Sequence, residues 1–299
     1  MSTQKFSKIS IVIGVLLIAL MITTAAILVH IIDRTHDGVA EISKTKVAGP
    51  DGKFTNAWTS QYELAVFTID KSKNDGPSCY AADHKITPAE WDRLDGEKSL
   101  REMKLKRCDF GSEQLKRLER IHVKRMHFIE ISVDEKLMKS ISKIEGLSEL
   151  QFFDCDFSPH VLAPLVTSSV SYLGIRHCFI LPGDKALDKS DFQPLKDMPR
   201  LQGLELEETR FVPASLMELE HTNIRSLNCR NCNLTDAEMN YLARIPSLNQ
   251  LIILRNSRIT CEGLRTLLKA KQIEHILVDW KGMHCSFSEA DEQRFNRSG

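Results

Sequence analysis

The sequence predicts an α/β solenoid, a curved parallel sheet with helices on its convex side, preceded by one transmembrane helix. Three observations predict it. A line with apolar residues at its first, fourth, sixth, ninth and eleventh places returns along most of the chain. The second half of each line spaces its apolar residues by three, as successive turns of a helix require. The run from Ile9 to Ile32 carries no charged side chain.

At about 1.5 Å per residue that run reaches ~36 Å as a helix, enough to cross a hydrocarbon core of ~30 Å with some tilt. A cleaved signal peptide is the rival, with Lys5 and Lys8 as its basic region and Thr24, Ala25 and Ala26 as a small-residue site. The apolar run continues through Ile27, Leu28, Val29, Ile31 and Ile32, beyond the usual core of such a leader, which favours a retained anchor. Lys5 and Lys8 precede the span and only Arg34 follows closely, so residues 1–8 are expected in the cytoplasm. Residues 9–32 are then a signal anchor, and the protein is a single-pass membrane protein with an extracytoplasmic repeat domain. Gly38, Gly49, Pro50 and Gly52 mark residues 33–59 as a linker.

The repeating line is set by Leu100, Met103, Leu105, Cys108 and Phe110. It returns from Val123, Leu147, Val170, Leu201, Ile224 and Leu248, and a degenerate copy opens at Ile273. The starts step by about 23 to 25 residues, a solenoid period, except for an insert near Leu181–Asp188. Alternation at the fourth and sixth places suits a short strand with one face buried. Leu115, Leu118 and Ile121, then Met138, Ile141 and Ile144, then Met239, Leu242 and Ile245 carry the helical half. Neither half buries its apolar face alone, but stacked copies share one core. Residues 60–99 form a cap repeat, with Tyr62–Ile69 as its expected strand and Pro88, Trp91 and Leu94 in its helix. The repeat domain proper is 100–285, and residues 286–299 are expected as a tail.

These lines resemble leucine-rich repeats, of the cysteine-containing, ribonuclease-inhibitor-like kind found in planctomycete and related bacterial proteins. Asn233-Leu234-Thr235 followed by Met239, Leu242, Ile245, Pro246 and Leu248 is the best match, and the resemblance covers roughly residues 86–280. The resemblance implies a horseshoe whose strands line a concave face and whose outward strand places, the third, fifth, seventh and eighth, stack into rows.

Lys+Arg and Asp+Glu balance at 40 each, so no global field draws the chain to nucleic acid. Eight cysteines are too sparse for a disulfide scaffold. Cys108, Cys155, Cys178 and Cys232 share the ninth place, where an internal ladder of buried thiols is expected. Cys229 and Cys232 have redox or zinc spacing but no second pair, which leaves packing as their reading. Cys261 and Cys285 are the candidate disulfide of a terminal cap in an oxidising compartment. The histidines lack metal-ligand spacing, and no P-loop, dinucleotide fingerprint or nucleophile elbow is present. A non-catalytic protein without cofactor or metal is therefore expected.

The outward rows hold the candidate binding residues. Lys104, Lys106, Arg107 and Arg125 make the N-terminal end basic; Phe153, Tyr172 and Arg176 follow. Glu205, Glu207 and Glu208 make one acidic repeat, then come Arg230 and an apolar patch with Ile252 and Leu254. Aromatics, arginines and aliphatics on a rigid sheet suit a protein partner. A structural or scaffolding envelope component without a single ligand is the alternative.

Overall fold

The computed structural model describes residues 66–72, 76–183, 185–279 and 285–295. The span at 9–32 and the linker at 33–59 lie outside the described residues. Among the described residues no helix is long and apolar enough to cross a membrane.

Among the described residues thirteen strands follow one another: β1 (Val66–Asp70), β2 (Ser78–Ala82), β3 (Ser99–Lys106), β4 (His122–Ile129), β5 (Ser132–Val133), β6 (Glu149–Phe153), β7 (Asp156–Phe157), β8 (Tyr172–Arg176), β9 (Phe179–Ile180), β10 (Gly203–Glu205), β11 (Ser226–Asn228), β12 (Gln250–Ile252) and β13 (His275–Leu277). Ten of them form one sheet in the order β1-β2-β3-β4-β6-β8-β10-β11-β12-β13, parallel except for the antiparallel pair β1–β2. β5, β7 and β9 make a second, three-stranded ladder at the eleventh places. The result is an α/β fold on a long, mostly parallel sheet, consistent with a leucine-rich-repeat solenoid.

The sheet pairs residues that occupy the same place in successive lines. Met103 faces Met126, Met126 faces Leu150, Leu150 faces Leu173, and Leu204 faces Leu227. All of these are buried, as are the first and sixth places, so each line contributes one layer to a continuous core. Phe128 and Phe152 stack at the sixth place with centroids 5.5 Å apart, and Phe157 meets Phe152 edge-on at 5.2 Å.

The convex side carries α1 (Pro88–Asp92), α2 (Ser112–Leu115), α3 (Glu135–Ile141), α4 (Lys189–Phe192), α5 (Asp236–Leu242) and α6 (Cys261–Lys269). Spacing by three is equally the period of a 3₁₀ helix, and the stretches 116–120, 163–167, 193–197 and 213–221 take that tighter form. Thr235 caps α5 with a capping box closed by Glu238, and Thr260 caps α6.

The ninth place explains the cysteines better than apolar packing does. Cys108, Cys155, Cys178 and Cys232 each donate Sγ–H to the seventh-place carbonyl of their own line, at 3.2 to 3.4 Å. Cys155, Thr209, Cys232 and Asn256 also donate to the sixth-place carbonyl of the preceding line. Apart from Ile131, this place holds a small side chain with a donor, which adds a hydrogen bond to carbonyls at the strand's end; those of Phe153, Arg176 and Arg230 also accept the preceding line's eighth-place N–H.

The eighth place turns the chain. Asp83, Arg107, Glu130, Asp154, His177, Glu208, Asn231 and Arg255 all have positive φ, between 46° and 62°. The left-handed conformation costs a non-glycine residue about 1–2 kcal/mol. It is held because each of these N–H groups bonds outward: Arg107 to Ile129 O, Glu130 to Phe153 O, Asp154 to Arg176 O and Glu208 to Arg230 O. At the last line the Asp279 side chain takes over, accepting the Arg255 N–H at 2.7 Å.

Three features add to what the sequence led one to expect. Val66–Asp70, which overlaps the expected cap strand Tyr62–Ile69, pairs antiparallel with β2, and it is β2 that opens the parallel stack by facing Met103 with Cys79. The expected tail is a cap as far as it is described: α7 (Glu289–Arg294) leads to Phe295, which is buried and bridges Ile276. A Cys261–Cys285 disulfide joins this cap to α6. The insert after Ile180 folds back on itself through Lys185 and delivers buried Leu187 to Phe211, so it continues the eleventh-place ladder toward the next line.

Candidate functional site

The concave face centres on Glu205, and here the expectation of an exposed acidic repeat fails. Glu205 is only 2% exposed. One carboxylate oxygen accepts the Tyr172 hydroxyl at 2.7 Å and Arg176 Nη2 at 2.8 Å; the other accepts Asn228 Nδ2 at 2.8 Å. Its surroundings cover it because the floor beside it is cleared of side chains at Gly203. A Cβ there would lie 2.5 Å from Tyr172 Cδ2, so glycine lets the tyrosine ring lie across the strand and reach the carboxylate. A buried carboxylate is tolerable only when hydrogen-bonded and paired, and this one is both.

The network extends outward from there. Arg176 lies 3.6 Å from Glu207, which lies 3.5 Å from Arg230. Its guanidinium also sits over the Phe153 ring at 4.9 Å. Burial works against the Arg176 charge, but the hydrogen bond it donates to Glu205 and the charges of Glu205 and Glu207 outweigh it and hold its pKa above the ordinary value. Burial first, then the hydrogen bond to Glu205, raises the Tyr172 hydroxyl. Phe153, Tyr172, Arg176, Glu205, Glu207 and Arg230 are thus brought together, with Glu205 as the buried hub.

Glu208 belongs to a different feature, the row of eighth-place side chains along the rim. It pairs with His177, which also meets Asp154 at 3.2 Å. Burial depresses the His177 pKa, but the hydrogen bond and charge of Glu208 and the charge of Asp154 carry it above 6.5. Toward the N-terminus Arg107 plays the same part between Asp83 and Glu130.

The expected basic end is electrically mixed. Lys104 pairs with Glu102 at 3.4 Å, and Lys106 with Glu130 at 3.5 Å. Arg125 stands in register between Glu102 and Glu149. His127 lies 3.7 Å from Glu102 and 3.8 Å from Glu149, whose pKa is lowered chiefly by the neighbouring His127 imidazole. Glu102 and Glu149 occupy third places, and reading that place through every line would have found them. Ile252 and Leu254 are separate from this centre. Ile252 lines an open depression of about 330 Å³ with Leu277, His275 and Gln250.

Among the described residues no group of three or more histidine, cysteine or acidic side chains is arranged to hold a metal ion. What the geometry defines is an α/β repeat protein with a polar, cross-braced concave sheet. No family model and no curated protein matches the chain. Among solved structures it is similar to an internalin, inlF, from Listeria monocytogenes strain 4b F2365, with a TM-score of 0.43 and 18% identity over 59% of this chain and 47% of that one. It is also similar to the leucine-rich-repeat domain of the type III effector XopL, with a TM-score of 0.34 and 18% identity over 57% of this chain and 58% of that one. The chain thus spans about half the length of the solved chains it matches.

Proposed function

We propose that the repeat domain is a non-catalytic binding module that takes a protein partner on its concave sheet, around Phe153, Tyr172, Arg176 and Arg230. The carrying observation is the Glu205 hub. It immobilises Tyr172 and Arg176 before any partner arrives, and Arg176 in turn lies over Phe153. Aromatic and arginine side chains are the residues from which binding hot spots are built, and side chains already ordered lose less entropy on association. The acidic repeat then serves the site from within, as a brace, and Glu207 and Arg230 form its polar margin. Residues 9–32 tether this module to a membrane, with the repeats on the extracytoplasmic side and of the cysteine-containing bacterial kind; nucleic acid has no part.

A photocrosslinker placed at Phe153, compared with one at the exposed convex Lys143, tests the binding face. The concave position should yield one discrete adduct, and Phe153→Ala should weaken that partner's binding about tenfold or more with an unchanged melt. Equal adducts from both positions would favour a scaffold without a dedicated face. For the tether, the full chain should resist an alkaline carbonate wash of membranes. A mature form beginning near Ile27 would make the segment a cleaved leader instead.

A further inference from the structure

We infer that the Cys261–Cys285 disulfide is a redox latch: a dithiol reductant opens it in the folded protein, and the C-terminal cap then leaves the end of the sheet. Cys261 is the first residue of α6, and Cys285, 24 positions later, leads into the cap. Both are only partly buried. The other six cysteines are screened: Cys79, Cys108, Cys155, Cys178 and Cys229 are buried, and the half-buried Cys232 donates Sγ–H to Leu206 O at 2.6 Å. Thiol exchange on the folded chain is thereby confined to one pair.

The cap is built so that it depends on this bond. α7 has six residues and none of them is buried. A helix that short is not stable in water by itself, so its two ends must be held. At the far end Arg294 donates to the Leu268, Ala270 and Ile273 carbonyls, and Phe295 is buried. At the near end Phe287, two residues beyond Cys285, lies 5.1 Å from the Phe295 ring, and the disulfide ties that segment to α6. Opening the bond turns a segment held at both ends into a tail held at one, and stretches with few buried apolar contacts are the first to open. Because Phe295 bridges Ile276, a departing cap uncovers β13, whose His275 and Leu277 line the depression at the end of the concave sheet.

The step is a thiol–disulfide exchange. One thiolate of the dithiol attacks a sulfur of the pair, the S–S bond breaks, and the other cysteine leaves as its thiolate. The second thiolate of the dithiol then displaces the remaining cysteine from the mixed disulfide. Two electrons pass to the protein, the dithiol becomes a cyclic disulfide, and its two protons end on Cys261 and Cys285.

The full chain in detergent micelles, treated with dithiothreitol at about pH 8, where a dithiol is partly ionised, tests the latch. Free thiols are labelled with a maleimide and located by peptide mass spectrometry, with amide hydrogen exchange followed in parallel. Cys261 and Cys285 should be labelled together and ahead of the other six cysteines. Exchange across α7 and β13 should rise about tenfold or more while β6 and β8 keep their protection, and reoxidation should reverse it. Cys285→Ser should show the same local opening with no reductant present. If the pair stays unlabelled until all the cysteines react, the bond opens only with global unfolding and is a structural staple, not a latch. If the pair is reduced but exchange across α7 does not change, Arg294 and Phe295 hold the cap without it, and the inference is equally overturned.

Discussion

At the scale of single residues, outward direction and exposure are different properties, and only the first was legible. The fifth place of each line faces the concave side, so Glu205 was correctly placed there. Its burial depends on Gly203, Tyr172, Arg176 and Asn228, contributed by three different lines, which no single line contains. The same dependence across lines makes His177 a titrating brace. Its folded pKa lies above 6.5, so its contribution is complete below about that pH and is lost as pH rises through the raised value. Glu208, lowered from 4.5, contributes above about that pH and loses its part as pH falls through its own folded value. The bridge is therefore at full strength between about pH 4.5 and 6.5. The melting difference between the wild-type chain and His177→Gln should be largest near pH 5.5 and shrink toward pH 9. A difference that stays flat over that range would mean the pair adds nothing that titrates.

Among elements, the strands and the inward faces of the helical halves followed from periodicity, because burial on one side imposes a period that survives sequence drift. The eighth-place turns did not. Asp83, Asp154, His177 and Asn231 are tolerant of positive φ, but Arg107, Glu130, Glu208 and Arg255 give no local hint, and the conformation is imposed by the neighbouring line. The helix ends show a similar coupling. Asp236, at the start of α5, accepts the Thr260 backbone N–H at 2.7 Å and its hydroxyl at 2.5 Å, so one helix caps the next. Gly263 leaves the room: a Cβ there would collide with the Asp236 carboxylate and stand 3.0 Å from Met239 Cγ. Alanine inside a helix normally gains about 1 kcal/mol over glycine, whereas losing a cap costs about 0.5–2. Gly263→Ala should therefore destabilise the chain by about 1 kcal/mol, against propensity. In an Asp236→Ala background the same change should become neutral or stabilising. If its sign is the same in both backgrounds, the carboxylate is not what the glycine accommodates.

For the molecule as a whole, a solenoid has two exposed ends, and its stability depends on how they are closed. The N-terminal closure was partly legible, since Trp91 and Leu94 are fully buried as their spacing predicts. The C-terminal closure was not, because Glu289–Arg294 is charged throughout apart from Ala290 and Gln293 and offers no apolar stripe. Its grip is polar. Arg294 donates Nε to Ile273 O at 3.0 Å, Nη1 to Leu268 O at 2.7 Å, and Nη2 to Ala270 O at 2.6 Å and Ile273 O at 2.5 Å. These carbonyls lie where α6 ends and the last line begins, and Phe295 then seals the core beside Ile276. Hydrogen bonds from a charged donor contribute about 1.5–3 kcal/mol each, and bonds sharing one side chain add less than their sum. Arg294→Ala should then cost about 3 kcal/mol, and the loss should stay local, because each line touches only its neighbours. Amide hydrogen exchange is the measurement: protection should fall in β13 and β12 while β6 and β8 hold theirs. Uniform loss along the whole sheet would mean that the stack opens as one cooperative body and that the cap governs every line in it.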